Sequence, residues 1–205
     1  MISFLISAIK IIFLLGFLIG IHETGHFLIA KLCKVRVNEF AIGFGPVIWK
    51  KQGKETKYEL RLIPLGGFVN MEGEAEQSEK EGSFTKASIP RRIAIVAAGA
   101  LVNIIFAIIV YFILAMTVRG NITNAVVGNR VLDADDFGNR LYFASYNTKE
   151  FMLSIAESVK QLFTGKVSSA ELVGPVGISE VVAKTNGFRE FIYILAAISI
   201  SLGVT

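Results

Sequence analysis

Two histidines and a glutamate lie within five residues, in the run His22-Glu23-Thr24-Gly25-His26. Residues four apart on an α-helix project within about 40° of each other, so both imidazoles face one side. Such a pair can bind zinc, and the glutamate can act as base toward a water that the metal activates. The run continues an apolar segment, where ionisable groups are costly and usually functional. We therefore predict two zinc ligands and a catalytic base; the alternative is a chance pair of histidines at a membrane edge.

The composition predicts a membrane protein. Apolar residues make up 53% of the 205 residues and charged residues 19%, below the roughly 25% of soluble domains. The net charge of +4 is better explained by loop charges that orient helices than by a nucleic-acid surface, so no nucleic-acid partner is expected. The single cysteine, Cys33, excludes an internal disulfide and is expected to be a small buried apolar side chain.

Three apolar segments are candidates for transmembrane helices: residues 11–30, 93–118 and 191–205. Lys10 and Lys31 flank the first segment, at the two faces of a bilayer. The third segment covers only about 22 Å of a hydrocarbon core about 30 Å thick. The expected fold is a mainly α polytopic membrane protein with three transmembrane helices, the third incomplete. We expect the chain to be a fragment that ends inside this helix.

The distribution of basic residues predicts the orientation in the membrane. Residues 31–92 contain 12 of the 21 lysines and arginines, several of them beside helix ends. The positive-inside rule then places this loop in the cytoplasm, with the N-terminus outside and residues 119–190 external. The first helix has no small-x-small cleavage site after it, so we expect an uncleaved helix of a multi-pass inner or plasma membrane protein.

A β-region is predicted between the first two helices, at residues 35–73. Strands are expected at 35–49 and 57–71, with a polar turn between them. Gly43 and Gly45 are expected to interrupt the first strand as bulges or turns. The strands could offer an edge to an extended substrate, or they could form a hairpin that only packs on the membrane surface.

Asn103 is the notable polar residue of the second helix. It lies about 15 Å from the cytoplasmic end, near the level of His22 at about 12 Å. A buried amide needs partners, so Asn103 either joins helices together or hydrogen-bonds something bound at the site. Gly99 and Ala100 precede it and would allow close helix contact.

A catalytic zinc normally takes three protein ligands and a water. The chain has two histidines, and residues 191–205 contain no carboxylate. Because that segment ends at about the depth of the histidines, the third ligand is expected beyond Thr205. In the external segment, an apolar stripe at 151–163 predicts an amphipathic helix, lying on the outer leaflet or packed on the protein. A turn is expected at 174–178.

The chain resembles the bacterial site-2 proteases of the regulator-of-sigma-E protease type. Five pieces carry the resemblance, in the family's order: HETGH at 22–26, FAIGFGP at 40–46, YELRLIPLGGFVNMEGE at 58–74, PRRIAIVAAGALVN at 90–103 and GPVGI at 174–178. Together they span most of the chain. The resemblance implies an intramembrane zinc metalloendopeptidase that cleaves membrane-anchored regulatory proteins, for example an anti-sigma factor, in regulated intramembrane proteolysis.

The resemblance also implies residue roles. His22 and His26 would be ligands to Zn²⁺, and Glu23 the catalytic acid and base. Asn103 matches an asparagine thought to position substrate. Within the membrane-associated β-region at 40–73, Gly43 and Gly45 are further candidate substrate contacts.

The sequence departs from the family's pattern in three places. The family's third ligand is an aspartate in a later L-D-G motif, and residues 199–205 look like the sequence just before it. The family usually has Gly-Pro where Gly99-Ala100 stands. Residues 119–150 are too few for the PDZ domain that many members carry there. Two rival functions stay open: a catalytically inactive binding protein, and a small transporter that uses the histidines as a proton relay.

Overall fold

The computed structural model describes residues 2–76, 78–117, 123–127, 130–133, 135–164, 185 and 187–204. The chain forms two compact units, Met1–Ile104 and Ile105–Val204. The turn predicted at 174–178 lies outside the described residues.

Helix α1 spans Ile2–Leu32 and helix α2 spans Ile89–Met116, beginning in the first unit and ending in the second. Both are long and apolar enough to cross a bilayer, and in the described part of the chain they are the two helices that meet this criterion. Helix α1 extends beyond the predicted range 11–30 at both ends. Helix α2 begins before the predicted range 93–118 and ends two residues before its end. A helix continues as long as its backbone hydrogen bonds do, whereas the prediction followed hydropathy.

The predicted β-hairpin is confirmed as a two-stranded antiparallel sheet of β1, Val37–Gln52, and β2, Lys57–Met71. The pairing runs from Val37 opposite Met71 to Gln52 opposite Lys57 and contains several bulges. Gly43 and Gly45 lie at these irregularities with φ of +91° and +79°, a conformation that glycine adopts without steric cost. The first strand runs three residues past its predicted end, so the turn is shorter than expected.

The alternation along β2 is the reverse of that in a water-soluble sheet. Glu59 is 5% exposed, whereas Leu60 is 40% and Leu62 59% exposed. The buried carboxylate forms ion pairs with Lys57 and with Arg61, the latter at 2.7 Å. Apolar side chains turned outward and charges paired inward are what a sheet needs when its outer face meets lipid.

Acid is expected to loosen this sheet between pH 4.5 and about 2. The hydrogen bond from Lys57, with a further one from Arg61, lowers the pKa of Glu59 to about 2 from an ordinary 4.5. Ser78 and Asn38 lower the pKa of Glu72 to about 2 as well. A lowered folded-state pKa gives stability that is complete above 4.5 and is lost as the pH falls toward 2.

The chain's one tryptophan, Trp49, lies in β1, so its fluorescence can follow the acid transition. Glu59→Gln should flatten the pH dependence and leave a smaller slope from Glu72. An acid transition that is identical in the variant would contradict this role of Glu59.

The sheet packs along one stripe of α1. The contacts recur at the three- and four-residue spacing of a helix face, so one side of α1 is covered by strands. A Cβ at Gly16 would meet the carbonyl oxygen of Pro64, which shows how closely β2 approaches the helix there. One turn on, Gly20 faces Ile42, and further on the Phe27 and Phe40 rings lie 5.0 Å apart.

A hydrophobic cluster forms where α1, α2 and the two strands meet. Its buried members are Ala30, Val35, Val37, Met71 and Ile95. Cys33 packs against them as a partly buried side chain, which agrees with the apolar role expected for it. The cluster joins α1, both strands and α2, so it fixes the helices and the sheet around the histidines.

The second unit contains a small hairpin of β3, Thr123–Val127, and β4, Arg130–Asp133, and the helices α3, Phe137–Phe163, and α4, Phe188–Val204. Helix α3 contains the predicted stripe but begins at 137, where a mixture of polar and aromatic residues hides the period. Phe151 and Ile155 pack against a buried cluster that includes Ala107 and Ala196. This part of the stripe packs on the protein. Helix α4 occupies the place of the third predicted span, whose membrane crossing stays a prediction.

Candidate active site

His22 and His26 lie one turn apart on α1, and their ring centroids are 4.9 Å apart with the planes inclined at 73°. Gly25, in the same turn, is buried against α2. A Cβ at this position would lie 2.7 Å from the carbonyl oxygen of Ala98. Any larger residue would push the helices apart, so glycine here lets α2 approach both imidazoles.

The two imidazoles converge on Gly99 of α2. A Cβ at position 99 would lie 2.5 Å from Nε2 of His22 and 2.5 Å from Nε2 of His26. Because both Nε2 atoms lie 2.5 Å from the same point, the distance between them is at most twice 2.5 Å. Zn–N bonds are about 2.0–2.1 Å long, so two imidazoles sharing one ion need nitrogens within roughly 4 Å of each other, which this limit allows. The absence of a side chain at Gly99 is what allows both Nε2 atoms to come this close to α2.

Helix α2 fixes the tautomer of His26. Nδ1 of His26 lies 2.8 Å from the carbonyl oxygen of Ile95. A carbonyl only accepts hydrogen bonds, so Nδ1 carries the hydrogen and donates it. The neutral ring then has its lone pair on Nε2, the atom that borders the space above Gly99. This is the arrangement of a histidine ready to bind a metal.

His22 has its partner two turns farther along α2. Nδ1 of His22 lies 3.2 Å from the side-chain amide nitrogen, Nδ2, of Asn103, which is fully buried. His22 and Asn103 are therefore at one level, as their calculated depths predicted. Because His26 pairs with Ile95 and His22 with Asn103, α1 and α2 run antiparallel here.

The side chain of Glu23 lies against the sheet. A Cβ at Gly67 of β2 would lie 2.9 Å from Cγ of Glu23 and 2.9 Å from the carbonyl oxygen of Ala41. The glutamate side chain thus lies in the seam between α1 and the strands, next to the histidines in sequence and against the backbone of β2.

Gly43 and Gly45 are placed differently from the other predicted site residues. The nearest neighbours of Gly43 are backbone atoms of Ile63 and Arg61, and those of Gly45 are side-chain atoms of Ile63. Both glycines shape the bulged part of the hairpin. Their contact with substrate stays a prediction.

Sequence reasoning missed two parts of the site: the carbonyl of Ile95 and the close approach at Gly67. A backbone carbonyl leaves no signature in a sequence. The pair Gly66-Gly67 inside β2 is a signal that could have been used, because glycine within a strand often marks close approach of another element. Gly99 was expected to permit helix contact, and the structure shows that the contact is with the histidine rings.

Within the described ranges, no three His, Cys, Asp or Glu side chains group together as a metal site. The donors that the described chain brings together are the two imidazoles of His22 and His26. Two imidazole nitrogens that approach the same point on α2 fit a zinc ion as two of its three usual protein ligands.

An apolar helix that carries two converging imidazoles and a carboxylate, faced by a second apolar helix, defines a membrane-embedded metallopeptidase type of site. The model of peptidase family M50 matches residues 10–205. The chain belongs to this family, which confirms the resemblance to site-2 proteases.

Three relatives illustrate the similarity. The regulator of sigma-E protease RseP of Escherichia coli is 43% identical over 118 residues, covering 55% of this chain and 26% of the relative. Protease RseP of Yersinia pestis is 42% identical over 118 residues, which again cover 55% of this chain and 26% of the relative. A protein of Clostridium perfringens with the provisional name zinc metalloprotease is 34% identical over 184 residues, covering 79% of this chain and 55% of the relative. The chain therefore matches from about a quarter to about half of the length of these relatives.

Proposed function

We propose that this protein is an intramembrane zinc metalloendopeptidase that hydrolyses peptide bonds of membrane-anchored proteins within the bilayer. His22 and His26 are two of its zinc ligands and Glu23 is its acid and base. The observation that carries the proposal is the convergence of both Nε2 atoms on the space at Gly99, with the carboxylate of the same helix turn beside a strand.

The residues divide the chemistry between them. When bound, zinc supplies Lewis acidity, polarising the scissile carbonyl and lowering the pKa of a water toward about 7. Glu23 takes the proton of the attacking water and later delivers it to the leaving amine. The contacts of both Nδ1 atoms with α2 orient the two rings, and the carbonyl of Ile95 keeps the lone pair of His26 on Nε2.

The sheet supplies a surface for the substrate. A peptide bond inside a helix is shielded from attack, so the substrate must become extended at the cleavage position. Among the described residues, β1 and β2 pair only with each other, so the outer edge of either strand could pair with an extended segment. Because Gly67 of β2 lies against Glu23, pairing at this part of the sheet would bring the scissile bond to the catalytic carboxylate.

The substrate class follows from the position of the site. His22 and His26 lie inside an apolar helix, so a substrate must reach them in the membrane. The name of the Escherichia coli relative refers to regulation of sigma-E. We extend this to the proposal that the substrate is a membrane-anchored regulator, for example an anti-sigma factor. The proposed placement is the inner membrane with residues 31–92 in the cytoplasm, supported by the basic residues of this loop.

Metal removal tests the proposal. The intact protein in lipid vesicles, given a single-span substrate with tags on both ends, is expected to produce two fragments cut within the span, as read by mass spectrometry. Treatment with 1,10-phenanthroline should remove the zinc and stop cleavage, and added zinc should restore it. The 1,7-isomer, which does not chelate, is the matched control. Cleavage that persists in metal-free protein would refute a metallopeptidase, and an intact protein that binds no zinc would favour the inactive binding protein.

A further inference from the structure

Three residues of α2 face the histidines at a constant spacing of four. Ile95 offers a carbonyl oxygen to His26, Gly99 has no side chain between the rings and α2, and Asn103 places its amide nitrogen 3.2 Å from Nδ1 of His22. Positions four apart lie on one helix face, and the two outer positions are about 12 Å apart along the axis. The two outer residues, Ile95 and Asn103, each contact the Nδ1 atom of one ring, and both Nε2 atoms lie near Gly99 between them.

The two groups that contact the Nδ1 atoms, the Ile95 carbonyl and the Asn103 amide, differ in their hydrogen-bonding chemistry. The Ile95 carbonyl can only accept, so it imposes one tautomer on His26. A side-chain amide has an oxygen that accepts and a nitrogen that donates, and a half-turn about its last bond exchanges the two. The structure has the amide nitrogen Nδ2 toward Nδ1 of His22. A hydrogen bond donated by Nδ2 would leave the neutral ring with its hydrogen on Nε2, where a metal ligand needs a lone pair, so metal binding requires the other orientation of the amide.

We propose that Asn103 is a positioning residue whose amide oxygen accepts a hydrogen bond from Nδ1 of His22, so that Nε2 of His22 keeps its lone pair toward the space above Gly99. This inference rests on the proposed zinc site and deepens it. Asn103 then does for His22 what the backbone of Ile95 does for His26. The asparagine acts through a ligand, and its complete burial beside the ring keeps water from competing for the bond.

The experiment combines two readouts in the intact membrane-inserted protein. The first is the ¹⁵N NMR spectrum of the imidazole nitrogens in metal-free protein at pH 8, which reports the tautomer of each ring without zinc. The second is zinc affinity, measured by competition with a chromophoric chelator. Wild-type His22 should show hydrogen on Nδ1. Asn103→Leu, similar in volume but without an acceptor, should give a mixture of tautomers and zinc affinity weaker by about 10- to 100-fold.

Asn103→Asp retains an acceptor at the same position, so it should restore both the tautomer and the affinity. Thr117→Val is the matched control, since it removes a side-chain hydrogen bond just after the end of α2. It should change neither readout. A role in joining helices would instead lower stability in Asn103→Leu without changing the tautomer.

Two results would overturn the inference. One is an unchanged His22 spectrum and unchanged zinc affinity in Asn103→Leu. The other is a rise in the KM for substrate at normal zinc affinity, which would assign Asn103 to substrate binding. Absence of zinc binding by the wild-type protein is a separate failure, that of the proposed function, and the metal-free spectra would still decide the role of Asn103.

Discussion

Gly99→Ala is expected to weaken zinc binding by at least about 10-fold, although it adds a single methyl group. The new Cβ would lie 2.5 Å from Nε2 of both His22 and His26, much closer than carbon and nitrogen can approach. The rings cannot simply swing aside, because each is held at Nδ1 by α2. Either the hydrogen bonds break or the helices separate, and both outcomes spoil the pair of ligands. Disturbing the groups that orient metal ligands typically costs 10- to 100-fold in affinity.

The expected loss of zinc affinity differs in direction from the effect that alanine has on helix stability. Alanine is favoured over glycine inside a helix by about 1 kcal/mol, so helix propensity alone predicts a more stable protein. Gly20→Ala in α1 is the matched control, since its Cβ would meet Ile42 Cδ1 at an ordinary 3.8 Å. Zinc affinity, measured by competition titration, should fall in the first variant only. Equal affinity in both variants would show that the space above Gly99 is not where the metal binds.

The sequence predicted the strongly periodic and chemically marked parts of this molecule. The HETGH run placed His22, Glu23 and His26 on α1, and turn residues located the strands of the hairpin. Depth along each helix correctly put Asn103 at the level of His22, because the rise per residue is fixed.

The remainder depended on tertiary contacts that leave little trace in a sequence. The burial of Glu59 reverses the pattern of a soluble strand, since its charge is matched by Lys57 and Arg61 while apolar neighbours face outward. The contact between Gly67 and Glu23 joins residues 44 positions apart, and nothing in either local pattern announces it. Such contacts arise only when helix and strand are packed together.

Glu23→Gln is expected to abolish proteolysis while zinc binding stays close to that of the wild type. Glutamine has nearly the same shape, so it can occupy the seam between α1 and Gly67 without displacing the histidines. It cannot take a proton from water, and loss of a general base typically costs 10²- to 10⁴-fold in rate. Cleavage of a single-span substrate in vesicles and zinc content of the same sample provide the two measurements.

Glu55→Gln is a suitable control for this substitution, because it makes the same chemical change at an exposed glutamate that pairs with Lys31 at 2.9 Å. Exposed ion pairs contribute about 1 kcal/mol or less, so both cleavage and zinc content should remain normal. Proteolysis retained in Glu23→Gln would remove Glu23 from the chemistry. Zinc lost together with activity would mean that the carboxylate of Glu23 contributes to metal binding, which would contradict a role as acid and base alone. Zinc retained with activity lost is the one combination that a base acting beside an intact pair of ligands can produce.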